Sequence, residues 1–203
     1  MAKRNLLIVI SYLFLVLLVL VDSCSTGVES SPEPGILRVK IQSDSSDTSI
    51  VIANKTYILS KQDRFNVKFT QGKVYDVDSV FFTLYPDIFS YTQRDVTCDI
   101  LKTEDGQYKE FTIFETFLPP GEYRRLQFGI AVSSYVFLGN NEIPISLPPN
   151  TELLIDFDFD FSINSNELTE IKMNIYPFQS IKRFQDSFYF IRKVEVVKID
   201  YTG

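Results

Sequence analysis

Leu153-Leu-Ile-Asp-Phe-Asp-Phe-Asp-Phe-Ser-Ile163 is the stretch that decides the fold class. Asp156, Asp158 and Asp160 occupy every second position, with Phe157, Phe159 and Phe161 between them. Side chains along an extended strand point alternately to opposite faces. The three carboxylates therefore share one side, and the three rings share the other with Ile155. A helical period would scatter both sets around a cylinder. The stretch predicts a strand with a wet face and an aromatic face laid on a core.

The same period of two extends outward. Leu37, Val39 and Ile41 alternate with Arg38, Lys40 and Gln42, and Phe65, Val67 and Phe69 with Asn66 and Lys68. Further strands are predicted at Val80–Leu84, Asp95–Ile100, Tyr108–Phe117, Tyr123–Val132, Leu168–Tyr176 and Phe188–Ile199. Ser49–Asn54 and Thr56–Ser60 predict a hairpin around Asn54-Lys55. Tyr135–Leu138 and Ile143–Leu147 predict another around Gly139-Asn-Asn-Glu142. Gln71-Gly72, Leu118–Tyr123 and Pro148-Pro-Asn150 are turns. About ten regularly spaced strands, with no sustained helical period, predict an all-β fold. The architecture expected is a β-sandwich, immunoglobulin- or transthyretin-like, over residues 36–203. No repeat and no second domain boundary is visible.

Composition agrees. The chain has 203 residues, 45% hydrophobic and 23% charged, with 18 Phe, 11 Tyr and no Trp. Aromatic and β-branched residues favour pleated, half-buried surfaces. The net charge is −6. Without Lys3, Arg4 and Asp22 there remain 18 basic and 25 acidic residues, a net charge of −7. Such a balance argues against a nucleic-acid partner, which requires a basic footprint. Histidine is absent, so no Ser-His-Asp or Cys-His nucleophile and no His-ligated metal can be assembled. Catalysis would fall to carboxylates, Lys, Tyr or a Ser-Lys pair, and no such motif is marked. The chain is expected not to be an enzyme.

The first residues carry an address. Lys3 and Arg4 precede an apolar run from Leu6 to Val21, and Val21-Asp-Ser-Cys24 follows. A charged start, an apolar middle and a small residue before the cut make a secretory signal peptide, assigned to residues 1–23. The last four residues resemble a bacterial lipobox, with Val21 and Ser23 in place and Asp22 departing from the usual small uncharged residue. Cys24 is the expected lipidation site, carrying palmitate-type acyl chains that would hold the protein on the membrane at the cell envelope or cell surface; an uncleaved membrane anchor and plain cleavage near Ser23 that leaves Cys24 free are the alternatives. Residues 24–35, rich in Ser, Pro and Gly, read as a flexible tether. Cys98 then has no disulfide partner and reads as a small buried hydrophobe.

Three further features bear on function. Asp156, Asp158 and Asp160 suggest a calcium site, because calcium takes oxygen ligands. A flat strand does not wrap a cation, however, and a solvated face over a Phe-rich core is the plainer expectation. Tyr85, Phe89 and Tyr91 form an aromatic loop, expected to cap an end of the sandwich rather than to dock a ligand. Asn54-Lys-Thr56 is a glycosylation sequon within the first hairpin.

Longer segments carry a family resemblance. Residues 118–132, Leu-Pro-Pro-Gly-Glu-Tyr-Arg-Arg-Leu-Gln-Phe-Gly-Ile-Ala-Val, resemble an L-x-x-G-x-Y-x-x-I/L-x-L strand, with Phe128 at its last position. Residues 135–149 match a strand, a Gly hairpin and a V/L-P-S/P turn. Residues 167–181 resemble a T-x-L-x-L-D-F-D-x-x-x-S-I segment, with Asn174 and Tyr176 where aspartates are usual. Residues 34–39 and 77–84 fit the opening strands, and 188–197 the closing one. Together these resemble the domain-of-unknown-function family 4382, found in exported bacterial and archaeal proteins that are often lipoproteins. The resemblance implies a sandwich fold and an envelope location, and it implies no reaction.

These readings lead to an expectation of a membrane-anchored envelope lipoprotein. Its β-sandwich would serve a binding or structural role toward a polysaccharide or another envelope protein. A calcium-stabilised adhesion module and a carboxylate-based envelope hydrolase are the alternatives.

Overall fold

The computed structural model describes residues 31–52 and 54–202. The signal segment and Cys24 lie outside the described residues. Every regular element described is a strand: β1 Gly35–Ser43, β2 Ser49–Ile52, β3 Lys55–Ile58, β4 Asn66–Asp76, β5 Phe81–Thr83 and β6 Val96–Asp99. They are followed by β7 Thr103–Glu104, β8 Gln107–Tyr108, β9 Phe111–Leu118, β10 Gly121–Val132, β11 Tyr135–Leu138 and β12 Asn141–Pro144. The last five are β13 Leu154–Ile163, β14 Leu168–Ile175, β15 Ile181–Phe184, β16 Ser187–Phe190 and β17 Val194–Thr202.

The fold is an all-β sandwich. One sheet has the order β17-β14-β1-β9, with β1 parallel to β14 and its other neighbours antiparallel. The second has the order β13-β10-β4-β5, with β6 also paired to β4. Alternation explains the packing. Leu37, Val39 and Ile41 of β1 are buried, while Arg38, Lys40 and Gln42 stay half-exposed on the outer face. Phe128 of β10 joins the sheets, its ring centroid 5.8 Å from that of Phe114 on β9 and 6.1 Å from that of Phe69 on β4. In β13 the aspartates are exposed, Phe157 and Phe159 pack against the core, and Phe161 is buried.

Two local devices fix the frame. Tyr123 donates its hydroxyl to the carbonyl of Pro119, four residues upstream, at 2.7 Å. This is the tyrosine-corner arrangement of Greek-key sandwiches, and burial pushes the phenol up to about 12. Gly72 lets the sheets close: a Cβ there would lie 2.7 Å from the Phe114 ring.

The boundaries differ in places from the sequence reading. The strand expected over 108–117 breaks at Lys109-Glu110, and the one expected over 188–199 breaks at residues 191–193. The hairpin β7–β8 turns on Asp105-Gly106, both at positive φ (51° and 81°). An Asp-Gly pair suits this geometry.

The connections divide by end. The β4–β5, β9–β10 and β13–β14 turns lie at the end where the chain enters β1 at Gly35. The hairpins β2–β3, β7–β8, β11–β12 and β15–β16 all belong to connections at the opposite end.

Candidate functional site

The acidic row on β13 faces a neighbouring strand that answers it. The antiparallel register sets Asp156 opposite Gln127 and Asp158 opposite Arg125 of β10. Gln127 donates from Nε2 to Asp156 Oδ1 at 2.8 Å, and Arg125 Nε lies 3.7 Å from the same oxygen. Tyr75 of β4 donates its hydroxyl to Gln127 Oε1 at 3.1 Å, and the Arg125 guanidinium lies 3.7 Å over the Tyr75 ring. A register shift between Tyr123 and Arg125 leaves Arg124 as the extra residue of a bulge against β4, where Tyr123 pairs with Asp76 and Arg125 with Tyr75. Its guanidinium reaches the Ser79 hydroxyl. A shallow hollow of 490 Å³ is lined by these arginines with Asp158 and Asp160.

Among the described residues no three His, Cys, Asp or Glu side chains gather as a metal-holding group. Outward positions two apart on a strand are separated by about 6.6 Å, whereas calcium ligands lie within about 2.6 Å of the ion. One ion therefore cannot touch all three carboxylates of the row.

The other singled-out residues are placed as follows. Cys98 on β6 is buried and free, and burial pushes its thiol up to about 12. Asn54 sits in the β2–β3 turn at φ 66°. Tyr85 is tied to β9: its N–H donates to Thr116 Oγ1 at 2.7 Å, and its carbonyl accepts from the Glu115 N–H at 2.9 Å. Phe89 and Tyr91 do not cap the sandwich as expected. They are 80% and 91% exposed. Asp87 holds this loop turned, accepting the Phe89 N–H on its carboxylate at 2.9 Å and the Ser90 N–H on its carbonyl at 3.0 Å. The tip therefore projects its rings into solvent.

A second site was not foreseen. At the hairpin-bearing end, a cleft of 790 Å³ lies between the loop before β4 and the β6–β8 segment. Two carboxylates build its walls by accepting backbone hydrogens. Asp63 accepts from the N–H groups of Ser60 (2.7 Å) and Gly139 (2.6 Å) and from the Ser60 hydroxyl (2.9 Å). Asp99 accepts from the N–H groups of Phe65 (2.9 Å) and Leu101 (3.3 Å). The backbones of Arg64 and Phe137 exchange two hydrogen bonds, both at 2.9 Å, which dock the β11–β12 hairpin against this loop.

Those two carboxylates are turned toward backbone N–H groups, and neither comes within ion-pair distance of a cation of the wall. Among the described residues no ion pair holds Lys61 or Arg64. Lys102 has only a 3.9 Å approach to Glu104 Oε1, an oxygen already 2.7 Å from Lys109 Nζ. Asp105, at the hairpin turn, is the remaining carboxylate of the lining, and Asn66 and Thr103 add neutral polar groups. The one sequence signal for this site was Asp105-Gly106. Lys61, Arg64 and Lys102 carry no motif and meet only because β4 pairs with β6.

No protein-family model matches the chain, and searches of curated proteins and of solved structures find no match either.

Proposed function

We propose that this chain is an exported envelope lipoprotein, anchored by acyl chains on Cys24, whose β-sandwich recognises a partner rather than performing a reaction. One observation carries the reading. Lys3-Arg4, the apolar run Leu6–Val21 and Ser23-Cys24 stand in the order of a lipoprotein signal, and a polar Ser/Pro/Gly stretch separates them from a domain that begins at Gly35. Two acyl chains suffice for stable anchoring, where one gives only reversible binding. The resemblance to the domain-of-unknown-function family 4382 points the same way. Support for recognition comes from the exposed rings of Phe89 and Tyr91 and from the polar cleft among the hairpins, because loops positioned by a rigid scaffold commonly carry binding.

The test is metabolic labelling of cells making the full chain with an alkyne analogue of palmitate. The wild type should carry label and sediment with membranes, and Cys24→Ser should lose both properties. An unlabelled wild type, or label that survives Cys24→Ser, overturns the reading.

A further inference from the structure

We propose that the 790 Å³ cleft beside Arg64 binds an anionic sugar polymer, with the acidic substituent held by Lys61, Arg64 and Lys102. This deepens the recognition role proposed above and rests on it. The first argument is charge. The protein is acidic overall, at −6, and many of its described cations are consumed in ion pairs. Lys40, for example, lies 2.7 Å from Glu110 and 3.0 Å from Glu170, and Lys198 lies 2.6 Å from Asp200. Lys61 and Arg64, without an ion pair among the described residues, and Lys102, 3.9 Å from Glu104, line one concavity. Other cations outside ion pairs are engaged differently: Arg192 donates to the carbonyls of Leu153 and Glu152, and the Arg124 guanidinium reaches the Ser79 hydroxyl, whereas no side-chain hydrogen bond holds these three among the described residues. A guanidinium and two ammonium groups suit a carboxylate or phosphate.

The second argument is the neutral part of the wall. A bare anion requires only positive charge. Here Asn66, Thr103 and Asp105 stand among the cations. Amide, hydroxyl and carboxylate groups match the donors and acceptors of a sugar ring, and Asp105 would repel a simple multivalent anion while accepting from a hydroxyl. The third argument is rigidity. The cleft's loops are pinned by five hydrogen bonds to the Asp63 and Asp99 carboxylates and by the Arg64–Phe137 backbone pair. The groups are thus held in place before a ligand arrives, which reduces the ordering cost of binding. The fourth is position: the cleft lies at the end of the sandwich opposite Gly35, where the chain enters from the anchoring segment.

The experiment uses the full chain in detergent micelles, titrated calorimetrically at low salt with polygalacturonate, a phosphorylated mannan, inorganic polyphosphate and neutral dextran. The expected result is saturable binding of polygalacturonate or the phosphorylated mannan, weakened by salt, with no heat from dextran. The polymer that binds tells whether the acidic group is a carboxylate or a phosphate. Arg64→Gln should weaken binding about tenfold, the loss of one charge-assisted contact. The double variant Lys61→Gln/Lys102→Gln should weaken it at least as much. Lys198→Gln, on the outer face of the other sheet, should leave it unchanged. Melting temperatures of the variants report folding, and none of the three cleft cations holds another element through its side chain. Silence toward both sugar-type polymers overturns the proposal, as does binding of polyphosphate alone or binding indifferent to both cleft variants. Palmitate labelling is read separately, so the lipoprotein reading can survive a failure here, or fail while this one stands.

Discussion

Gly35 shows how much one missing methyl group can matter. A Cβ at this first residue of β1 would lie 2.2 Å from the backbone oxygen of Asn164 and 2.7 Å from Ile163 Cγ2. A carbonyl in the β13–β14 turn cannot move aside as a flexible side chain can. Gly35→Ala should therefore lower the unfolding free energy by about 1–3 kcal/mol, the usual cost of forced overpacking, measured by urea denaturation. An unchanged midpoint would mean that the turn yields freely. At Cys98 the sequence reading and the structure agree, because a cysteine alternating with polar residues in a short strand has one buried place to go. At Phe89 and Tyr91 they disagree. The Asp87 turn holds the loop tip outward, and an aromatic-rich loop does not announce from composition which way it faces.

Among the elements, the sheet β17-β14-β1-β9 carries its clearest electrostatics on its outer face. Glu170 of β14 is only 8% exposed, and it lies 3.0 Å from Lys40, 3.3 Å from Lys172 and 3.5 Å from Arg38. Burial works against its ionisation, but the hydrogen bonds from Lys40 and Lys172 outweigh that and hold its carboxyl below the ordinary glutamate range. The unfolded residue titrates near pH 4.3. A folded-state value below this means the stabilisation is fully present at neutral pH and is lost as pH falls through the folded value. Glu170→Gln should cost about 1–3 kcal/mol at pH 7, and the gap from wild type should shrink below about pH 4. A gap independent of pH would assign the loss to packing instead. Strands such as β1 and β13 were legible because strict alternation survives in the sequence. The pair β7–β8 was not, since two-residue strands carry no period and only their Asp-Gly turn marks them. Bulges, such as the one against β4 that frees Arg124, are likewise silent, being set by the partner strand's register.

For the whole molecule, alternation reveals that sheets form but not which strands meet. The all-β class was therefore legible, whereas the parallel pairing of β1 with β14 was not, nor was the cleft, whose wall draws on residues from Lys61 to Gly106. That parallel pairing makes a further prediction. β1 lies between β9 and β14, so a chain ending after Asn166 lacks one neighbour of β1 and all of β17. It should stay protease-sensitive and show no cooperative unfolding, while the full chain resists. A resistant truncated form would show that β1 and β9 suffice.

The partner of Ile36 is Leu168 and that of Ser43 is Ile175, so β1, the first of the described strands to be synthesised, must wait for β14, one of the last. Pairings so distant in sequence form slowly, because the loop must close before any contact rewards it. During synthesis the polypeptide thus has no finished sandwich until β14 has emerged, and it remains a thread for most of the time it is being made.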